Sequence, residues 1–383
     1  MKKDKKLPTI TLLGQAASGK TNLLTAFLNH NPSWLDLEDG PDFVQNFSVS
    51  EMFTSGSEEE RAFDYLRTHY ASLLAGKEYL LEGTNAARRY GIKMSFHQPA
   101  QAKVQKSGWL GIPSLSSSAP AREEELEFSI VDGRGADAAP VEMIQSDDKD
   151  ATARRQEYRD GMDDSSGFVL FMPLMSDDEG TKAAISQRFL GEITESLRRK
   201  REKLGTLPKL QRIALCFTKC ERAFMNDGVY AAESATEMAR YDGFFRGNAV
   251  LSTFRSLLAY SLKDDTFDMR VFPVSTYGFV RNSGSPNFYP WSKSPGLLTR
   301  AVDPIDDYAA EPIDDYAAEP IDVYDDIDLS KYKDHFPIAL KDDQARSLWR
   351  PFNIAPPLLY ALTGRITGPV SFSADRALAH ISD

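Results

Sequence analysis

Apolar and polar positions follow a repeating order along this chain: a short apolar run, a polar turn, then a stretch with one apolar face. "TITLLG" at 9–14 is a β-rich run. Leu23, Leu24, Phe27 and Leu28 then recur at helical spacing and predict a helix starting near Gly19. Residues 57–75 read as a second amphipathic helix, with Phe63, Leu66, Tyr70, Leu73 and Leu74 on one face and a Ser-Glu-Glu-Glu start. Strands are predicted at 90–96, at 126–131, within 165–174, at about 212–217 and over 269–279. Helices are predicted near 149–161, 179–203 and 231–262, and a closing helix over 349–364, entered through Pro356 and Pro357. Residues 98–122, rich in Ser, Pro and Ala, read as a flexible loop. Strands alternating with helices define an α/β fold: a mainly parallel sheet of about six strands, helices on both faces, and large insertions.

Composition narrows the function. The 383 residues, 42% of them hydrophobic, suffice for a large α/β domain. A formal net charge of −11 argues against nucleic-acid binding, which needs clustered Lys and Arg. No apolar run approaches the ~18 residues needed to span a bilayer, so no integral membrane segment is expected. The start "MKKDKKLPTITLLG" is basic and then apolar, but threonines interrupt it and no small-residue cleavage site follows. With two cysteines and no export signal, the expected compartment is a reducing cytoplasm. The five histidines have no ligand spacing, and Cys216 and Cys220 lack nearby Cys or His partners. The expectation is one small apolar residue on a strand and one loop cysteine.

Chemistry concentrates after the first strand. Gly14, Gln15, Ala16, Ala17, Ser18, Gly19, Lys20 and Thr21 match G-x-x-x-x-G-K-[ST] between a strand and a helix. Glycines at both ends let successive N–H groups turn inward as an anion nest. The helix then aims its positive end at the phosphates. Lys20 would neutralise the β- and γ-phosphates, and Thr21 would offer its hydroxyl to Mg²⁺. Asp132-Gly133-Arg134-Gly135 follows an apolar strand and fits D-x-x-G. In that pattern Asp132 holds Mg²⁺ through water and the Gly135 amide senses the γ-phosphate. Thr218-Lys219-Cys220-Glu221 follows the strand at 212–217.

These motifs, in this order, resemble the Ras-like GTPases of the translation-factor-related class, whose base-reading motif is [NT]-K-x-D. The resemblance implies GTP or GDP with Mg²⁺ as ligands, and a protein effector or activating partner. It implies that Lys219 lies along the base and that the acid, here Glu221 in place of Asp, accepts from the two adjacent guanine donors. Ser275 and Thr276 resemble the family's last motif, whose loop amides meet the guanine O6. Thr84, ahead of the strand at 90–96, is the candidate to complete the Mg²⁺ shell, with Thr54 as runner-up. Arg88 and Arg89 follow; they could stabilise transition-state charge in cis, and solvated loop arginines are the simpler reading. Ala136, followed by Asp137, stands where Ras-like enzymes often place a water-orienting glutamine, so slow hydrolysis is expected. Large insertions and a terminal helix also resemble predicted bacterial GTPases of the double-GTPase type.

The expected organisation is a nucleotide-binding domain over 7–285, with an inserted helix and loop at 45–122. An insertion at 286–348 and a C-terminal helical piece at 349–383 follow. "PIDDYAAE" repeats at 304–311 and 312–319 and degenerates at 320–327, within a stretch lacking Lys and Arg from Ala301 to Leu329. That acidic stretch is expected to be exposed and in part disordered. Two rivals stand beside a GTP-binding switch: an ATPase or nucleotide kinase of the phosphate-loop class, and a nucleotide-bound interaction scaffold with negligible turnover.

Overall fold

The computed structural model describes residues 7–14, 18–29, 45–74, 88–98, 103–105, 114–116, 122–132, 149–174, 179–204, 211–280, 284, 286 and 349–381. Gln15, Ala16, Ala17, Thr84, Gly133 to Asp137 and the acidic repeat lie outside them.

Three apolar runs make the middle of one sheet: β1 (Thr9–Gly14), β7 (Gly167–Pro173) and β8 (Gln211–Thr218). β7 has no polar alternation, as a strand covered on both faces requires, and β1 buries its Thr9 and Thr11 hydroxyls against Ser129 and Ser165. With β2 (Gln45–Met52), β3 (Arg88–Gln98), β6 (Arg122–Asp132) and β9 (Phe267–Pro273), they form a seven-stranded sheet in the order β2-β3-β6-β1-β7-β8-β9. β6, β1, β7, β8 and β9 run parallel, whereas β3 is antiparallel to β6 and to β2. The fold is therefore α/β with a mainly parallel sheet, as the pattern predicts.

Alternation along the strands sends side chains into two cores. Leu13, Phe168, Leu170, Ile213 and Leu215 face α3 (Lys149–Asp164) and α4 (Glu179–Leu204), and are joined there by Tyr158, Met162, Phe189 and Ile193. Leu12, Val169, Phe171, Ala214 and Cys216 face α1 (Lys20–Asn29), α2 (Glu58–Leu74) and a C-terminal helix, with Leu23, Leu24, Phe27, Phe63 and Leu66 among their neighbours. Helices thus cover both faces.

Several elements depart from the sequence expectation. The stretch 45–122 adds a strand the sequence pattern does not predict, β2, beside the expected strand at 90–96, which is β3. The expected loop at 98–122 holds a small antiparallel ladder, β4 (Lys103–Gln105) with β5 (Ser114–Ser116). The single helix predicted over 231–262 is a chain of short ones. These are α5 (Ala231–Ser234), a 3-10 turn (Met238–Tyr241), α6 (Asp242–Phe245), α7 (Ala249–Thr253) and α8 (Arg255–Ser261). Gly247 adopts φ 65°, and Asn248 then caps α7 by accepting from Val250 N at 3.0 Å and Leu251 N at 3.1 Å. A cap of that kind starts a new helix rather than continuing an old one.

The expected strand over 269–279 divides at Val274 into β9 and β10 (Ser275–Val280). The closing helix is shorter than expected: Trp349–Phe352 is strand β11, antiparallel to β10, and the helix is α9 (Ala355–Thr363). α9 lies against β8 and β7. Gly167 permits the approach, since a Cβ there would sit 2.3 Å from the Ala361 carbonyl oxygen. A last short helix, α10 (Ala374–Ala379), follows. Among the described residues no helix is long and apolar enough to cross a membrane.

Candidate functional site

All the described motif residues gather where parallel strands end. Gly14 closes β1, Asp132 closes β6, Thr218 closes β8, and Ser275 lies two residues after β9. In open α/β sheets that edge forms the ligand crevice.

The phosphate-loop half is built around a buried lysine. Gly14 has φ 151°, and a Cβ on it would meet Ser18 Oγ at 2.6 Å and the Phe171 carbonyl at 2.8 Å. Gly19 has φ 94°, a conformation that side chains rarely adopt. The chain can therefore double back between β1 and α1. Lys20, buried at 6% exposure, donates from Nζ to the Gly14 carbonyl at 2.7 Å and reaches Ser18 Oγ at 3.5 Å. Burial pushes its ammonium pKa down, and the Asp132 carboxylate raises it again. Thr21 donates to Asp132 Oδ2 at 3.3 Å. Asp132 is wholly buried, and its Oδ1 has no hydrogen-bond partner. Burial pushes its carboxyl pKa up, while Lys20, the Thr21 hydroxyl and Arg88 pull it down. A buried carboxylate with an unused oxygen beside a threonine hydroxyl suits a hard divalent cation, which prefers oxygen donors.

The second half lies two strands away, beyond β7. Lys219 adopts φ 59° and ψ 34°, left-handed for a side chain that seldom sits there. That kink starts the 3-10 segment Cys220–Tyr230 and turns Glu221 inward. Glu221 is buried at 1% exposure, and Oε2 has no partner. Burial pushes its pKa up, and a hydrogen bond from Ser275 is the main opposing influence. Ser275 Oγ also accepts from Gly278 N at 2.7 Å. The two loops are laced together: Val274 N donates to the Phe217 carbonyl at 2.8 Å, and Cys220 N donates to the Val274 carbonyl at 3.3 Å. Thr218 is buried, with Oγ1 unpartnered, and its carbonyl accepts from Leu174 N at 2.9 Å. Thr276 is half-buried on β10. A buried carboxylate with an unused oxygen fits a ligand edge bearing adjacent N–H donors.

Other sequence candidates fall elsewhere. Thr54 is exposed and lines a cleft with Leu7, Arg89, Gly91 and Ser129. Met52 pairs with Gly91 and Arg88 with Asp132, so Thr54, two residues beyond Met52, leaves β2 toward the same sheet edge as Asp132 but two strands out from it. Arg88 and Arg89, read alike from the sequence, separate: Arg89 lines that cleft, and Arg88 pairs in register with Asp132. Cys216 and Cys220 are free, buried thiols; Cys220 opens the 3-10 segment instead of lying in an open loop. Sequence reasoning missed Tyr90 on β3, whose buried hydroxyl has no partner and whose pKa Asp132 helps to raise, after burial. It also missed Asn353, which holds the end of β9 by donating to Pro273 O at 2.8 Å and Val370 O at 2.7 Å. Tyr90 reads as an ordinary strand aromatic, and Asn353 as a turn residue, so neither carried a signal.

Comparison with protein-family models and with curated proteins gave no match. Among solved structures, the chain is similar to one from the SRb-GTP/SRX complex of the signal recognition particle receptor of Chaetomium thermophilum. That match has 12% identity and a TM-score of 0.32, covering 71% of this chain and 92% of the other. It is also similar to the S. cerevisiae Ski7 GTPase-like domain bound to GDP and inorganic phosphate, with 12% identity and a TM-score of 0.27, covering 79% of this chain and 51% of that one. Both scores fall short of the level at which two chains share a fold, and neither likeness decides fold or function.

Proposed function

We propose that this protein is a guanine-nucleotide-binding switch that hydrolyses GTP slowly with Mg²⁺ and signals to a protein partner. The observation that carries the reading is Glu221, a buried carboxylate with a free oxygen at the same sheet edge as the Lys20–Asp132 pair. Guanine presents N1–H and an exocyclic amine side by side, and adenine does not, so a carboxylate here selects guanine. Ser275 holds the carboxylate, and Lys219 and Thr276 flank the base. Gly14 through Thr21, with Gln15, Ala16, Ala17, Ser18 and Gly19 between, wrap the phosphates. Lys20 neutralises the β- and γ-phosphates.

Thr21 and Asp132 would hold Mg²⁺, with Thr84 completing the shell in the triphosphate state. A bound Mg²⁺ supplies positive charge where the phosphate oxygens gain negative charge. Hydrolysis is in-line: a water oxygen bonds to the γ-phosphorus as the bond to the β–γ bridging oxygen breaks. That electron pair leaves on the β-phosphate and a proton of the attacking water passes to an oxygen of the released phosphate, giving GDP and inorganic phosphate. Lys20 and the loop amides, including Gly135, oppose the developing charge. Ala136 cannot orient the water, which favours slow turnover and keeps a scaffold with negligible turnover as the second reading.

The test is equilibrium binding of labelled GTP, GDP and ATP with Mg²⁺, followed by single-turnover hydrolysis. GTP and GDP should bind in preference to ATP. ATP outcompeting GTP would sink the proposal, and binding without hydrolysis would select the scaffold.

A further inference from the structure

We propose that Arg88 is a cation reserved for the terminal phosphate of a bound nucleoside triphosphate, carried on Tyr65 as on a shelf. The inference rests on the nucleotide reading above. Arg88 opens β3 directly opposite Asp132, the last residue of β6. Its face of β3 also carries Tyr90, Ile92 and Met94, all buried in the core under α1 and α2. The Arg88 side chain therefore starts from the sheet face that α1 covers, beside the carboxylate that Thr21 touches. Its guanidinium carbon lies 4.0 Å from the Tyr65 ring centroid, and Tyr65 comes from α2.

Stacking of this kind orients a guanidinium without consuming its N–H donors. Among the described residues no carboxylate lies within ion-pairing distance of Arg88, unlike Arg67, Arg198 and Arg199, which are all paired. Its charge is nevertheless felt at the site, for it helps to hold down the pKa of both Asp132 and Tyr90. A planar fork of donors beside the phosphate loop suits a phosphate oxygen. It would also offset the charge that γ-phosphoryl transfer develops. Arg89, the next residue, points from the opposite face of β3, where it lines a cleft with Gly91 and Ser129, and provides an internal contrast.

The experiment measures affinities for GDP and for a non-hydrolysable GTP analogue, both with Mg²⁺. The proteins are the full chain and its R88A, R88K, Y65A, Y65F and R89A forms, each checked for a native thermal transition. Arg88→Ala should weaken the triphosphate analogue about tenfold or more relative to GDP, the size of one lost charge-assisted hydrogen bond. Tyr65→Ala should shift the same ratio by less, while Tyr65→Phe and Arg89→Ala leave it unchanged. Lysine at 88 should restore part of the loss. An unchanged ratio in Arg88→Ala, or equal loss of both nucleotides, overturns the assignment while leaving the nucleotide site standing. A wild-type protein that binds neither nucleotide overturns the nucleotide reading itself, and this assignment with it.

Discussion

Lys20 and Glu221 are each charged in the role proposed for them, and each is buried where charge is costly. Ligand must repay that cost, which gives residue-scale predictions. Lys20→Ala should weaken Mg²⁺-GTP binding by more than about a hundredfold, since a lost charged hydrogen bond costs about 1.5–3 kcal/mol and the phosphate charge goes unanswered. Equilibrium titration of the variant checks this, and near-normal binding would refute the phosphate-loop role. Glu221 gives a pH signature. Burial raises its folded pKa above the ordinary carboxylate value, so between those two values the folded state holds a proton that the unfolded state has lost. Without ligand, stability should therefore fall as pH rises through that window. Guanine donors favour the ionised form, so GTP affinity should rise over the same window. In Glu221→Gln the affinity should be flat with pH and roughly 10–100-fold weaker, the loss of a charge-assisted bond. A pH series of binding curves for both proteins separates these outcomes. Cys216 and Cys220 are buried with raised thiol pKa values, so neither should react with a thiol reagent until the protein is unfolded. A counted thiol titration, native against denatured, is the measurement.

At the scale of elements, a single methyl can probe the contact between β7 and α9. Gly167→Ala would place a methyl 2.3 Å from the Ala361 carbonyl, so α9 must move off the sheet. Overpacking of that kind costs about 1–3 kcal/mol, read as a lower urea midpoint at unchanged slope. The strands behind that contact were legible. β7 is an uninterrupted apolar run, β8 carries one from Ile213 to Phe217 and β1 is β-rich, and their order already placed Lys20, Asp132 and Glu221 at one sheet edge. What was not legible depends on long-range partners. β2, "QNFSVSEM", gains its identity only from pairing with β3. β11 exists because β10 lies beside it, and Asn353, at φ 57°, turns the chain between β11 and α9. The broken helix at 231–262 was misread because local apolar spacing continues across it, while Gly247 and the Asn248 cap reset its direction. Arg88 and Arg89 were indistinguishable as sequence, and only strand alternation separates them.

Across the whole molecule, distant parts of the chain complete the same structure. α9 supplies Leu358, Leu359 and Tyr360 to the core that α1 and α2 share. Arg365 donates to Glu124 Oε2 at 2.5 Å, tying the C-terminal segment to β6. Between Val280 and Trp349 runs the segment with the acidic repeat, and those two residues are themselves register partners in the β10–β11 ladder. The ends of that segment are thus held side by side by the strands that flank it. Loop-closure entropy grows only with the logarithm of length, so halving such a segment changes stability by about 0.6 kcal/mol. Excising Pro304 to Ile327 should therefore leave the thermal midpoint nearly unchanged and GTP affinity intact. Saturating GTP at a hundred times its Kd should stabilise wild-type and excised proteins alike by about 2.7 kcal/mol. If the repeat is the docking segment for a basic partner, the excised protein should lose only that partner. A large drop in the midpoint would instead assign the repeat a packing role, and a selective loss of the GTP-induced shift would tie it to the nucleotide site.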